Sequence, residues 1–216
     1  MMRNVARWSA LAVLVAVAAC SKDSTSPGGG SSALGSYYGV WGATNGSSSV
    51  GGTIIIVITA GSASGTLTPE GLAAIPLTGT YTSSSGAVTV SGSGHTLTGT
   101  ITSGKLDGTY NGPGGTGTFG THHGASATDV KLFCGTYDGD SQGVWNLAQM
   151  GNALVGAYAD DGGGSAQLTG SVSGSNLTIT FSGGTAAGTL ASATAMSGTW
   201  TAGANSGTWV GVSPCP

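Results

Sequence analysis

The chain has 216 residues, of which 42 are glycine and only 6% are charged, and its net charge is −3. So much glycine excludes a helical domain, because glycine weakens helices and no stretch repeats apolar residues at helical spacing. Beyond residue 33 the only lysines are Lys105 and Lys131, and there is no arginine. A basic surface for binding phosphates is therefore excluded, and we expect no nucleic-acid partner.

The N-terminus has the pattern of a secretory signal peptide. Arg3 and Arg7 precede an apolar run over residues 9–19, which is too short to span a membrane. The run ends in the sequence VAAC (17–20), which resembles the lipobox of bacterial lipoproteins. This resemblance implies cleavage before Cys20 and attachment of diacylglycerol to its sulfur. An ordinary secreted protein with a free cysteine is the alternative.

Residues 1–19 are therefore expected to be removed, and the lipid on Cys20 to hold the protein at the bacterial cell envelope. Ser21 follows the cysteine, and in lipoproteins a residue other than aspartate at this position favours the outer membrane. Residues 20–33 contain almost nothing that could be buried, so we expect the lipidated cysteine and a flexible tether. Several acyl chains, at about 0.8 kcal/mol per buried methylene, would hold the protein on the membrane, which is therefore an expected partner.

A short phrase recurs through the rest of the chain: an apolar residue, any residue, glycine, a small residue, then an aromatic or branched residue. In an extended strand the apolar, glycine and aromatic positions share one face, while threonine and serine take the other. The phrase thus predicts half-buried β-strands. Its full copies are LTGTY (77–81), LTGTI (97–101), LDGTY (106–110), FCGTY (133–137), LVGAY (154–158), LTGSV (168–172) and MSGTW (196–200).

The glycines of this phrase indicate an internal repeat. Those in the first half recur in the second half about 90 residues later, with Gly35 matched to Gly135 across a deletion in the first loop. We predict an all-β protein of two tandem antiparallel up-and-down meanders, at residues 34–124 and 132–216. Each copy has about eight short strands.

Each meander is expected to close into a barrel, because an open eight-stranded sheet would expose two edges. Cys134 lies in the first strand of the second copy and Cys215 just after its last strand, so the two meet only if that sheet closes. In an exported protein they are predicted to form a disulfide. The alternative to the disulfide is a pair of free or intermolecular thiols. The alternatives to the two barrels are a parallel β-helix, a sixteen-stranded membrane barrel and a low-complexity coat.

The glycine-rich meander strands, such as LTGTY (77–81), are similar to those of avidin-like and lipocalin-like barrels. The resemblance covers each copy only as a pattern, and it implies a barrel that is either filled or holds a small molecule. No ligand-binding residue can be carried over from these families.

Few side chains could support chemistry. His122 and His123 would point to opposite faces of a strand and His95 lies far away in sequence, so we expect solvated loop histidines and no metal site. DGDSQG (138–143) begins like a calcium loop but lacks the bidentate acid, and DDG (160–162) has turn chemistry. We expect hairpin turns at both places, no cofactor and no enzymatic activity; a hydrolase is the least favoured function.

Six aromatic residues fall on the face that carries the glycines, and they either fill the cores or line a cavity for a small apolar or sugar-like ligand. The sequence therefore predicts a lipid-anchored, non-enzymatic binding or structural module that acts as a docking or scaffolding element, with an envelope protein or a small apolar ligand as its candidate partners. A calycin-type small-molecule-binding protein is the alternative. The six candidate cavity residues are Tyr81, Tyr110, Tyr137, Tyr158, Trp200 and Trp209.

The stretch TIIIVIT (53–59) is apolar on both faces, unlike the other strands. Its matching stretch in the second copy is VWNLAQM (144–150). An exposed, uncharged β-branched run would promote aggregation. We therefore expect Ile55 and Val57 to pack against the other copy, the long loop 42–51 or a partner, which would make the two copies one rigid unit.

Overall fold

Residues 33–216 are described by the structure, a computed structural model, so Cys20 and the signal peptide lie outside the described part. The first eight strands are β1 (Gly35–Thr44), β2 (Ser49–Thr59), β3 (Ser62–Pro69), β4 (Ile75–Thr82), β5 (Ala87–Gly92), β6 (His95–Thr102), β7 (Lys105–Gly112) and β8 (Gly115–Gly124). A short 3-10 helix (Ala127–Asp129) leads to β9 (Lys131–Gly139), β10 (Gly143–Met150), β11 (Ala153–Asp160), β12 (Ser165–Ser173), β13 (Asn176–Phe181), β14 (Gly184–Ser192), β15 (Ala195–Ala202) and β16 (Asn205–Val212).

The strands form two closed barrels, β1–β8 and β9–β16, in which each strand pairs with its neighbours in sequence and the first pairs with the last. Two-residue turns help to make the meander possible. Ser93-Gly94 and Ser103-Gly104 all have positive φ, which suits the twist of a tight hairpin. The predicted fold, two tandem eight-stranded antiparallel meanders that close, is confirmed.

The glycines at the strand centres allow neighbouring strands to approach closely. A Cβ on Gly135 would lie 1.9 Å from the carbonyl oxygen of Val210, and one on Gly39 would lie 2.1 Å from that of Gly120. Both glycines face the closing strand of their own barrel, since Gly39 pairs with Thr121 and Gly135 with Gly211. The predicted match of Gly35 with Gly135 is therefore wrong, and Gly39 is the structural counterpart.

The predicted disulfide joins Cys134 in β9 to Cys215 just after β16, with a Cα–Cα distance of 4.9 Å. Its two ends belong to the first strand and to the segment after the last strand of the second barrel. The bridge therefore fixes the seam at which that barrel closes, at the end of the barrel where β9 begins.

The barrels pack side by side, with β1, β2 and β8 of the first against β10, β11 and β12 of the second. Val40, Val130, Ala148 and Val155 form a buried apolar cluster between them. Small residues permit the close contact, since a Cβ on Gly120 would lie only 3.1 Å from the backbone nitrogen of Gly156.

The isoleucine run lies within β2. Ile54, Ile56 and Ile58 are buried inside the first barrel, whereas Ile55 and Val57 are half-buried on its outer face. Ile55 pairs with Tyr38, which packs against the apolar cluster between the barrels. The outer face of β2 therefore borders the interface rather than forming its centre. The expected long loop 42–51 is mostly strand, since only residues 45–48 separate β1 from β2.

The sequence predicted solvated loop histidines, and this prediction is wrong. His95 begins β6 and is buried, and the other two lie in β8. His123 packs against the ring of Tyr37 inside the first barrel, with centroids 5.0 Å apart. His122 points outward and is 1% exposed, because its position in β8 places it at the interface between the barrels. Strand alternation thus separates the two, as predicted.

Residues 33–216 contain neither a metal-binding cluster nor a membrane-spanning helix. No group of three or more histidine, cysteine or acidic side chains in this range could hold a metal ion. Within the same described residues, no helix is long and apolar enough to cross a membrane.

Candidate functional site

A cavity of about 190 Å³ opens at the end of the second barrel where the hairpins β9–β10, β11–β12, β13–β14 and β15–β16 turn. Three of the six predicted aromatics meet there. Five rings and a few polar groups line the cavity: Tyr137, Trp145, Tyr158, Phe181 and Trp200, with Ser141, Asp160, Ala202 and Asn205.

The rings meet mostly edge to face. Tyr137 lies at the centre of this arrangement, with its ring centroid 5.9 Å from that of Tyr158 and 5.7 Å from that of Trp200, at interplanar angles of 89° in both pairs. Phe181 is edge-on to Trp145, with centroids 5.8 Å apart. Such pairs favour a fixed geometry, worth about 0.5–1.5 kcal/mol each beyond area burial. These contacts therefore favour the observed positions of the rings.

The polar groups of the cavity centre on Asp160. Its carboxylate accepts hydrogen bonds from the hydroxyl of Ser141 and the backbone N–H of Gly162. The Ser141 hydroxyl also lies 3.4 Å from the Tyr137 hydroxyl. Burial raises the pKa of Tyr137, and the Asp160 carboxylate adds to the shift. Burial and the same carboxylate raise the pKa of Tyr158. Both phenols therefore remain neutral at ordinary pH.

One indole in the wall has an unused donor. Trp145 is 2% exposed, and its indole N–H has no hydrogen-bond partner. The other two tryptophans of the barrel are satisfied, since Trp200 donates to the Asp138 carbonyl at 3.2 Å and Trp209 donates to the Thr199 carbonyl at 3.3 Å. An unpaired buried donor costs about 1–3 kcal/mol.

Trp209 lies beneath the cavity instead of lining it. Its ring stacks on Trp145 with centroids 5.5 Å apart, and it is 1% exposed. A Cβ on Gly188 would lie 2.6 Å from the Trp209 ring, so this glycine makes room for the indole. Trp209 thus supports the aromatic wall from the core.

The corresponding end of the first barrel is occupied by its own side chains. Trp41 stacks on Tyr110 with centroids 4.6 Å apart, and the His95 imidazole lies 2.8 Å from the Tyr110 hydroxyl, within hydrogen-bonding distance. Tyr81 and Tyr110 are buried in the core of this barrel. These two predicted cavity residues are therefore packing residues, apart from the cavity of the second barrel.

The register explains the difference between the barrels. Gly92 pairs with His95 in the first, and at the equivalent turn Phe181 pairs with Gly184 in the second. Gly184 of the second barrel thus stands where the first has His95, so the second barrel lacks the imidazole that contacts Tyr110 in the first. Phe181 stands where the first barrel has Gly92, and its ring forms part of the cavity wall.

The sequence-based prediction missed Trp145 and Phe181. Both lie in strands that lack the recurring glycine phrase. The signal was available in the comparison of the two copies, because Trp145 stands where the first copy has Ile54, and Phe181 where it has Gly92. Aromatic rings in place of Ile54 and Gly92 on the inner face distinguish the second barrel from the first.

The two aspartate-containing turns are hairpins. Asp140 accepts a hydrogen bond from the backbone N–H of Ser206 at 2.8 Å, which ties the β9–β10 turn to the neighbouring β15–β16 turn. Asp161 accepts two hydrogen bonds from Ser49 of the first barrel, one from its backbone N–H at 2.7 Å and one from its hydroxyl at 2.6 Å. These contacts hold the rim of the cavity in place.

In comparisons with known proteins, no family model matches the chain and no curated protein is significantly similar to it. Among solved structures, the chain is similar to the Myxococcus xanthus hemagglutinin, crystallised in complex with α3,α6-mannopentaose. The two are 16% identical, the match covers 82% of this chain and 99% of the other, and the TM-score is 0.23. A likeness of this size carries no inference about what the present chain binds.

Proposed function

We propose that the protein is a non-enzymatic binding protein of the bacterial envelope whose second barrel holds a small ligand. The observation that carries this proposal is the cavity walled by five aromatic rings, with Ser141 and Asp160 among its few polar groups. Mostly apolar concave sites with a few placed polar groups are typical of small-molecule binding. The first barrel acts as a support, packed against β10–β12.

The cavity is small for a complete ligand of ordinary size. Small-molecule sites usually enclose about 300–1,000 Å³, whereas this cavity has about 190 Å³. It therefore takes either a very small molecule or the terminal group of a longer one. Attachment through Cys20 would present this site at the membrane surface, and the lipobox is the basis for that part of the proposal.

The test is ligand binding by the lipid-free mature domain. Native mass spectrometry of the domain purified from envelope extracts should show a co-purifying small molecule, and titrations against a panel of small ligands should quench tryptophan fluorescence. Trp145→Ile, which introduces the residue found at the matching position of the first barrel, should abolish binding. Trp41→Tyr is the matched control in the first barrel and should leave binding unchanged. A domain that carries and binds nothing would leave the docking role as the only binding function and would overturn this proposal.

A further inference from the structure

The charge of the second barrel is concentrated at the mouth of its cavity. Residues 132–216 contain no lysine, arginine or histidine, and their four acids are Asp138, Asp140, Asp160 and Asp161. All four lie in the β9–β10 and β11–β12 hairpins, at the end of the barrel where the cavity opens. Lys131, the last basic residue, begins β9 and therefore lies at the opposite end.

Asp160 places one of these charges in the wall itself. It lines the cavity together with the rings of Tyr137 and Tyr158, and the pKa of each phenol is raised in part by its charge. Its hydrogen bonds come from neutral groups, Ser141 and Gly162, which hold the carboxylate in position without neutralising it. The negative potential is therefore available to a ligand.

The aromatic walls add to the same potential. The face of each ring carries the negative part of its quadrupole, and a cation near ring faces is stabilised, most strongly by tryptophan and when it is removed from water. Trp145 and Tyr158 are nearly parallel and contact each other, with an interplanar angle of 22° and centroids 6.3 Å apart, so a cation meets this pair from the cavity and does not enter between the two rings. Tyr137, Phe181 and Trp200 close the other sides. Several rings around a small space form a cage that suits a compact cation with an apolar shell.

We infer that the cavity of the second barrel binds a small organic cation of the quaternary ammonium class. This inference rests on the proposed small-molecule binding function and narrows it to one class of ligand. The rings supply the walls of the cation site, and Asp160 supplies the opposite charge.

The experiment compares choline with its uncharged carbon analogue, in which a tert-butyl group replaces the trimethylammonium group. The two have the same shape and hydroxyl group, so only the charge differs. Calorimetric titration of the lipid-free domain should give at least about tenfold tighter binding of choline, which corresponds to 1.4 kcal/mol. Equal affinity for the two compounds, or binding of a hexose without binding of choline, would overturn the cation assignment and leave the proposed binding function standing.

Two variants locate the effect. Asp160→Asn removes the charge at constant size and should weaken choline binding about tenfold while leaving the carbon analogue unaffected. Glu70→Gln removes one exposed charge from the β3–β4 hairpin of the first barrel and should change neither affinity. Tyr158→Leu introduces the side chain of the matching Leu67 and should also weaken choline binding. Thermal unfolding of each variant identifies a folding defect, and unchanged choline affinity in folded Asp160→Asn would contradict the inference.

Discussion

Replacing Asn146 by alanine should loosen the contact between the two barrels. This residue is fully buried, and its side-chain Nδ2 donates to the carbonyl oxygen of Trp41 in the first barrel at 2.8 Å. Its Oδ1 accepts from the backbone N–H of Gly135 at 3.2 Å. That bond falls where the β9–β10 ladder is interrupted, between the pairs Val144–Thr136 and Leu147–Phe133.

The cost follows from these two hydrogen bonds. Each contributes roughly 1 kcal/mol, and leaving a buried partner unsatisfied costs about 1–3 kcal/mol. Asn146→Ala should therefore lower the free energy of unfolding by about 2–5 kcal/mol, measured by urea denaturation. Because the bond to Trp41 joins the barrels, the single cooperative transition should split into two. The control is Asn176→Ala, an exposed site in β13, which should change stability by less than about 0.5 kcal/mol. A similarly small effect of Asn146→Ala, with one transition retained, would refute the role assigned to this contact.

Three further changes test other parts of the structure. Replacing both Cys134 and Cys215 by serine removes the covalent bridge at the seam of the second barrel, where β16 still pairs with β9, and should cost about 4–5 kcal/mol in thermal or urea unfolding. No loss of stability would show that the bridge adds nothing to closure. Burial, aided by the Lys105 charge, lowers the pKa of His122 from 6.5 to about 4, so the folded protein resists protonation of this side chain. The free energy of unfolding should be highest above pH 6.5 and fall by on the order of 2 kcal/mol towards pH 4. His122→Leu should remove this pH dependence. Cys20→Ser should abolish fatty-acid labelling and release the protein from the membrane fraction, whereas unchanged labelling would exclude the lipoprotein hypothesis.

Much of the fold could be predicted because it is encoded locally. The recurring glycine phrase specifies which strand face is buried, and short turns such as Ser93-Gly94 join consecutive strands as antiparallel hairpins. The positions of Cys134 and Cys215 then indicated closure. The match of Gly35 with Gly135 failed because β1 contains two candidate glycines, and only the pairing with the closing strand distinguishes Gly39 from Gly35.

The cavity and the interface were harder to predict because each depends on strands that are distant in sequence. Tyr110 and Trp200 occupy matching phrases, yet the first is covered by His95 and the second borders open space. Whether the ring is covered depends on one residue at a neighbouring turn, which is His95 in the first barrel and Gly184 in the second. The interface likewise depends on outer-face positions such as Val40 and Val155, where the usual threonine or serine is replaced by an apolar residue.

The most direct test of the binding role is the indole N–H region of a ¹⁵N–¹H NMR spectrum of the domain, recorded during titration with a ligand that binds. Residues 33–216 contain four tryptophans, and the N–H groups of Trp41 and Trp145 have no partner. The signals of Trp145 and Trp200 should shift on binding because both residues line the cavity, while the Trp41 signal in the filled barrel stays in place. Shifts confined to Trp41, or a bound ligand that leaves the Trp145 signal unmoved, would contradict the assignment of the site to the second barrel.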